Sequence, residues 1–310
     1  MKNHGGMAVA LVGPTASGKS ALAHELAAER GLDVLCVDAM TVYRGMDLGT
    51  AKPTPEEQRE VDYHLIDLVD PSEEFTVARF QALARAATEE VWQLGGSVLY
   101  VGGTGLYGRA VLDDLEIPGQ YPEVRRTLEA RAEYELDVLY EQLSELDPVA
   151  AGRMERGNAR RIVRALEVSL GSGRPFSSYG EGLLSYGPVR VVQIGLENEL
   201  DELDRRIERR FRGWIDQGLV EEVRRLASAP GGLGRTARQA VGYRELLRHV
   251  EADAPLEECV RDALTKSRRL ARRQRSWFHR DPRIEWFDDP AAAKERLAEV
   301  LTSPDGFVRD

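Results

Sequence analysis

The sequence predicts an α/β fold: a parallel-sheet core interrupted by a small all-helical insertion domain. Three observations carry that expectation. Short apolar runs recur at 8–12, 32–37, 97–101 and 189–196, separated by segments of helical periodicity. A glycine-rich loop follows the first run and opens a helix. Between Gln120 and Pro188 no strand-like run occurs, and charged helix formers dominate. The expected organisation is a core of residues 1–119 and 189–310 around an insertion over 120–188.

The first run, Ala8 to Val12, reads as a buried strand, and Ser20 to Arg30 as a helix ended by Gly31. Between them stands Gly13-Pro14-Thr15-Ala16-Ser17-Gly18-Lys19-Ser20, a complete G-x-x-x-x-G-K-[ST] loop in its required context. The core is therefore expected to be P-loop NTPase-like. The glycines let the backbone turn tightly, so that several N–H groups converge on one diphosphate. Lys19 adds a full charge, and the Ser20 hydroxyl can hold Mg²⁺. The loop specifies a diphosphate or triphosphate with Mg²⁺ and leaves its chemical fate open.

The second strand, 32–37, ends at Asp38. In an open α/β sheet the carboxyl ends of the strands face the ligand crevice. Asp38 is thus aimed toward the loop, as a general base, a water-mediated Mg²⁺ ligand or a simple cap. Residues 39–53 are polar and punctuated by glycine, which suits a long functional loop. His64 precedes an apolar run, where a histidine is more often structural than catalytic. Residues 75–94 read as a crossover helix. The strand at 97–101 leads into Gly102-Gly103-Thr104-Gly105, which suits close substrate approach or a tight turn.

In the insertion, Pro122 opens one helix, and Arg160, Arg161 and Arg164 can share a face of another; a solvated face is the default for such a cluster. Residues 171–188 read as a flexible connection. A long amphipathic helix is expected over 200–226, interrupted near Gly213 and Gly218, and another begins at Arg238. Lys266 to Arg280 contains no acid, and Arg268, Arg272 and Arg275 fall on one face suited to a phosphate backbone.

The chain has 310 residues, 42% of them hydrophobic, and a formal net charge of −10. That charge by itself argues against a polyanionic partner, but local clusters steer polyanions. No run of 18 apolar residues is present, so no membrane span is expected. The five-residue apolar run near the N-terminus is too short for a signal peptide. Cys36 and Cys259 show no metal-type spacing, which fits a reducing cytoplasm. A monomer is expected.

Taken together and in order, these blocks resemble the bacterial tRNA dimethylallyltransferases. The resemblance is carried by the loop Gly13–Ser20, Asp38 with Tyr43 to Pro53, His64 to Asp67, Val101 to Tyr107, Leu146 to Ala151, Arg164 to Glu167 and Val241 to Glu245. It implies transfer of a dimethylallyl group from dimethylallyl diphosphate to N6 of adenine 37 in the tRNA anticodon loop. It implies diphosphate binding by Gly13, Pro14, Thr15, Ala16, Ser17, Gly18, Lys19 and Ser20, with Asp38 as general base and Thr104 as a second contact to the target nucleotide. The implied tRNA contacts are Asp38, Ala39, Met40, Thr41, Thr104, Arg125, Arg160, Arg161, Ile162, Val163, Arg164, Arg238, Gln239, Gly242 and Tyr243. Arg160 stands where the family often has Gln, and Gln239 where it often has Arg. Three other readings compete: a small-molecule kinase, a prenyltransferase acting on free adenine nucleotides, and a non-enzymatic RNA-binding module.

Overall fold

A computed structural model describes residues 6–180, 185–188 and 190–302. The chain divides into two compact units, one of Met1–Asp113 with Gly187–Asp310 and one of Asp114–Tyr186.

The larger unit is built on a sheet of six parallel strands in the order β3-β2-β4-β1-β5-β6. Its elements begin with β1 (Ala8–Val12), α1 (Lys19–Arg30), β2 (Asp33–Cys36), α2 (Glu57–Glu60) and β3 (Tyr63–His64). α3 (Val77–Gln93), β4 (Val98–Gly102) and α4 (Gly105–Leu112) follow. The next four helices, α5 (Pro122–Ala132), α6 (Leu136–Leu146), α7 (Pro148–Ala151) and α8 (Ala159–Ser172), belong to the smaller unit. The chain then returns through β5 (Val192–Leu196), α9 (Leu200–Asp216), α10 (Leu219–Ser228), α11 (Tyr243–Ala252) and α12 (Leu256–Phe278), and closes with β6 (Ile284–Phe287) and α13 (Pro290–Thr302).

Both faces of the sheet are covered, as a parallel sheet requires. Along β1, Ala8, Ala10 and Val12 join one core while Val9 and Leu11 join the other. The first core gathers Phe80 of α3, Phe211 of α9, Tyr243 of α11 and Phe278 of α12. The second is roofed by Leu22 and Leu26 of α1 and Leu297 of α13. β1 is flanked by β4 and β5, so the loops after all three strands meet at one end of the sheet.

The expected strands are present: β1 spans 8–12 as expected, and the other three differ by one or more residues at their ends. Val189, the expected start of the strand at 189–196, lies outside the described residues. The helix expected over 200–226 is two helices. Gly218, at φ +100, breaks the chain and opens α10, whereas Gly213 continues α9 without interruption. Ahead of α11, residues Ala237–Gln239 form only a 3₁₀ turn. No expectation covers α2, β3, α4, β6 or α13; the two strands, of two and four residues, are too short for a period to show.

The smaller unit comprises α5 (Pro122–Ala132), α6 (Leu136–Leu146), α7 (Pro148–Ala151) and α8 (Ala159–Ser172) around Leu139, Leu143, Ile162 and Leu166. Two buried carboxylates organise it. Asp147 accepts from Ala150 N at 2.9 Å and from the Ser177 backbone and hydroxyl, both at 2.7 Å. Glu167 accepts from Tyr121 N at 2.9 Å and pairs with Arg164 at 3.0 Å. The unit begins at Asp114 rather than Gln120 because Arg164 donates to the carbonyls of Pro118 and Gly119, drawing that stretch onto α8. Residues 171–180 are not the flexible connection expected. α8 runs to Ser172, Phe176–Tyr179 form a 3₁₀ turn, and Phe176 packs on the helical core. Residues 181–184 lie outside the described residues.

Candidate active site

The phosphate loop turns between β1 and α1. Gly18 takes φ +98, a left-handed conformation that side chains disfavour, and thereby sets the N-terminus of α1 beneath the loop. The Lys19 ammonium lies against the loop itself, donating to the Pro14 carbonyl at 3.0 Å. Burial and the neighbouring Arg210 guanidinium push its pKa down to about 8, while Asp38 pulls the other way. Ser20 is exposed at the helix start.

Three side chains from late in the chain reach this loop. Arg210 of α9 donates to the Thr15 hydroxyl at 2.5 Å, and Arg206 to the Ser17 carbonyl at 3.5 Å. Arg210 lies 4.7 Å from the Trp214 ring, and burial lowers its pKa to about 10. Its Nε and the Ser17 hydroxyl are buried without a partner among the described residues. Gln274 of α12 accepts from Thr15 N at 2.8 Å and donates to the Gly103 carbonyl at 2.8 Å. The loop thus carries a helix N-terminus and three cations, an array matched to a polyphosphate anion.

No motif points to Arg206, Arg210 or Gln274, whose partners lie 189, 195 and 259 residues away. A faint signal exists for the arginines, which sit four apart beside the apolar stripe Leu203, Ile207 and Phe211.

Asp38 follows β2 and Thr104 follows β4, and these strands are neighbours, so the two side chains meet. The Thr104 hydroxyl donates to Asp38 Oδ2 at 3.1 Å and accepts from Ala39 N at 3.4 Å. Asp38 Oδ1 accepts from Met40 N at 2.8 Å. The carboxylate is therefore held on both oxygens, with lone pairs left to accept a proton. Gly103 packs so closely on the phosphate loop that an added Cβ would lie 3.2 Å from the Gly13 carbonyl oxygen. The Asp38–Thr104 pair and the phosphate loop consequently share one mouth. Beside Thr104 lies a cavity of only about 10 Å³, whose walls include the buried apolar side chains of Val12, Val37, Leu112 and Phe278.

Among the described residues no cluster of three or more His, Cys, Asp or Glu could hold a metal ion. A Mg²⁺ at this loop would rest on Ser20 and on the oxygens of a bound diphosphate, the usual donor set for that ion.

The expected RNA contacts are scattered differently from one another. Arg160, Arg161 and Gln239 are exposed. Ala39 and Met40 are half-buried beside Asp38. Arg125 pairs with Glu129 at 2.9 Å, and Arg238 is held by both oxygens of Glu251. Arg164 leaves the face it was expected to share, because the carboxylate of Glu167 and two carbonyls occupy it. The side chains of Thr41, Ile162, Val163 and Tyr243 are buried, at 6%, 0%, 3% and 0% exposure, and Gly242 is buried too. The apolar faces of their elements fill the cores, so these side chains present nothing to an RNA surface. Tyr243 instead donates to buried Glu222 at 2.5 Å, and Glu222 accepts from Leu48 N at 3.1 Å, anchoring the 39–53 loop.

The face of α12 expected to meet phosphates is ion-paired. Arg272 bonds Asp204 at 2.7 Å, Arg268 bonds Glu208 at 2.8 Å and Arg275 bonds Glu197 at 2.7 Å. Acids on α9 and after β5 neutralise that face. The opposite face carries Lys266, Arg269 and Arg273, and Arg280 follows the helix; none of the four forms an ion pair among the described residues.

The IPP transferase family model matches residues 41–281, and the isopentenyl transferase model matches residues 7–68. The chain belongs to the IPP transferase family. Among similar IPP transferases, the tRNA dimethylallyltransferase of Kineococcus radiotolerans is 47% identical, over 94% of this chain and 96% of its own. That of Saccharopolyspora erythraea is 48% identical, over 94% and 93%. Among solved structures, the tRNA isopentenylpyrophosphate transferase of Bacillus halodurans aligns with TM-score 0.68 and 37% identity over 95% of this chain and 96% of its own. A eukaryotic dimethylallyltransferase described as acting on tRNA aligns with TM-score 0.73 and 25% identity over 88% and 70%. The parallel-sheet fold of this IPP transferase is thus shared with solved relatives. No helix among the described residues is long and apolar enough to cross a membrane.

Proposed function

We propose that the protein transfers a dimethylallyl group from dimethylallyl diphosphate to N6 of adenine 37 in the anticodon loop of tRNA. The observation that carries this reading is the Asp38–Thr104 hydrogen bond at the mouth shared with the phosphate loop. It sets a proton acceptor beside an anion cradle. The allylic C–O bond breaks, and diphosphate departs onto the amides of residues 16–20, Lys19 and Arg210. A new C–N bond forms at the adenine amine, and the proton it sheds passes to the Asp38 carboxylate. Mg²⁺ held at Ser20 would neutralise part of the leaving charge. The adenine leaves its stack to enter, as enzymes acting on a base require.

Support for an RNA acceptor comes from basic side chains that form no ion pair among the described residues: Lys266, Arg269 and Arg273 on α12, Arg280 just beyond it, and Arg160 and Arg161 on α8. The test is mass spectrometry of the nucleoside beside the anticodon after incubating tRNA with protein and dimethylallyl diphosphate, without ATP. A dimethylallyl group on adenine 37 and free diphosphate are expected. A phosphorylated small molecule with ADP, or prenylation only of free adenine nucleotides, overturns the proposal.

A further inference from the structure

We infer that Gln274 is a positioning residue, a clasp that sets the gap between the diphosphate cradle and the loop carrying Thr104. The inference rests on the prenyl-transfer reading above and adds a residue to it. Gln274 Oε1 accepts from Thr15 N at 2.8 Å, and its Nε2 donates to the Gly103 carbonyl at 2.8 Å. Thr15 belongs to the loop that holds the leaving group. Gly103 immediately precedes Thr104, which holds Asp38. One amide therefore ties the part of the site that receives the diphosphate to the part that receives the proton.

Only a carboxamide satisfies both ends at once. A carboxylate accepts from Thr15 but cannot donate to Gly103, and a thioether accepts only weakly and donates nothing. The clasp is close-fitting, since a Cβ on Gly103 would lie 2.8 Å from Gln274 Nε2. It is also rooted. Arg268 and Arg272 on the same helix are bonded to Glu208 and Asp204 of α9. α9 in turn sends Arg206 and Arg210 to the phosphate loop. Gln274 makes no contact that would bind either substrate by charge, so its removal should loosen the alignment of two substrates that each still bind. In a reaction joining two bound partners, misplacement by about 1 Å costs on the order of 10²-fold in rate.

The test compares wild type, Gln274→Met, Gly103→Ala and the double variant in the intact protein, using dimethylallyl diphosphate and a substrate tRNA. Wild-type transfer is the control for the underlying reading; without it, that reading fails rather than this one. For Gln274→Met, kcat should fall about 10- to 100-fold. Separately measured affinities for donor and tRNA should stay within about threefold. Gly103→Ala, which forces the clasp apart, should show the same pattern, and the double variant should be no worse than either single one. Gln274→Glu preserves the volume and should lose kcat while also weakening donor binding. Unchanged kcat in Gln274→Met, additive losses in the double variant, or a loss confined to substrate affinity overturns the inference.

Discussion

Arg210 donates to the Thr15 hydroxyl at 2.5 Å, joining α9 to a loop 195 residues earlier. The residue is half-buried, desolvation lowers its pKa to about 10, and its buried Nε has no partner among the described residues. A partly desolvated cation with a free donor beside a phosphate loop is poised for an anion. Arg210→Gln should raise the KM for dimethylallyl diphosphate about 10- to 100-fold, the range of a hydrogen bond to a charged group. The KM for tRNA should stay unchanged. Steady-state kinetics with each substrate varied checks this.

The same arginine shapes the pH profile. The Lys19 ammonium, with its pKa near 8, is charged below that pH and neutral above it. The kcat/KM for the donor reports the free enzyme, so it should decline as pH rises through about 8. Arg210 is one cause of the depression. Arg210→Gln should therefore shift the decline to higher pH. Profiles for both proteins between pH about 6.5 and 9.5 decide the point.

Asp38→Asn should lower kcat by roughly 10²- to 10⁴-fold, the usual contribution of a general base, with little change in tRNA affinity. Thr104→Val removes one of the hydrogen bonds that hold the carboxylate, at 3.1 Å. Its loss should be smaller and fall in the same parameter. Single-turnover measurements separate this from slow product release.

Replacing Lys266, Arg269 and Arg273 with Ala should weaken tRNA binding and flatten its salt dependence, by nearly one unit of slope per lost phosphate contact. Arg272→Ala breaks a bond to Asp204 instead and should leave the slope intact. Filter binding over a range of salt concentrations distinguishes the two faces of α12.

Tyr243→Phe should lower stability by about 1–3 kcal/mol, because the buried Glu222 carboxylate loses its 2.5 Å donor. Affinity for tRNA should hold. Thermal melting alongside RNA binding tests Tyr243 as a core residue rather than a contact.

What could be read from the chain was local. The phosphate loop declares itself because its glycines, lysine and serine stand in one stretch between a strand and a helix. Asp38 and Thr104 were placed by the rule that strand ends face the crevice. Their mutual bond needed the order β2-β4-β1, which puts two strands distant in sequence side by side.

The rest depended on contacts across the fold. Arg268 and Arg273 are alike in sequence, yet one is spent on Glu208 and the other is not, because only one face of α12 meets α9. Tyr243 lies in a stretch that marks the family but packs inward on Glu222. Gln274 has no pattern around it that announces a bond to Thr15. The sequence by itself determined the anion cradle and the layered α/β scaffold, because backbone turns and periodicity act over a few residues. Tertiary structure alone decided which charges stay free and which side chains join the two halves of the site, because charge pairing and burial depend on neighbours far away in the chain.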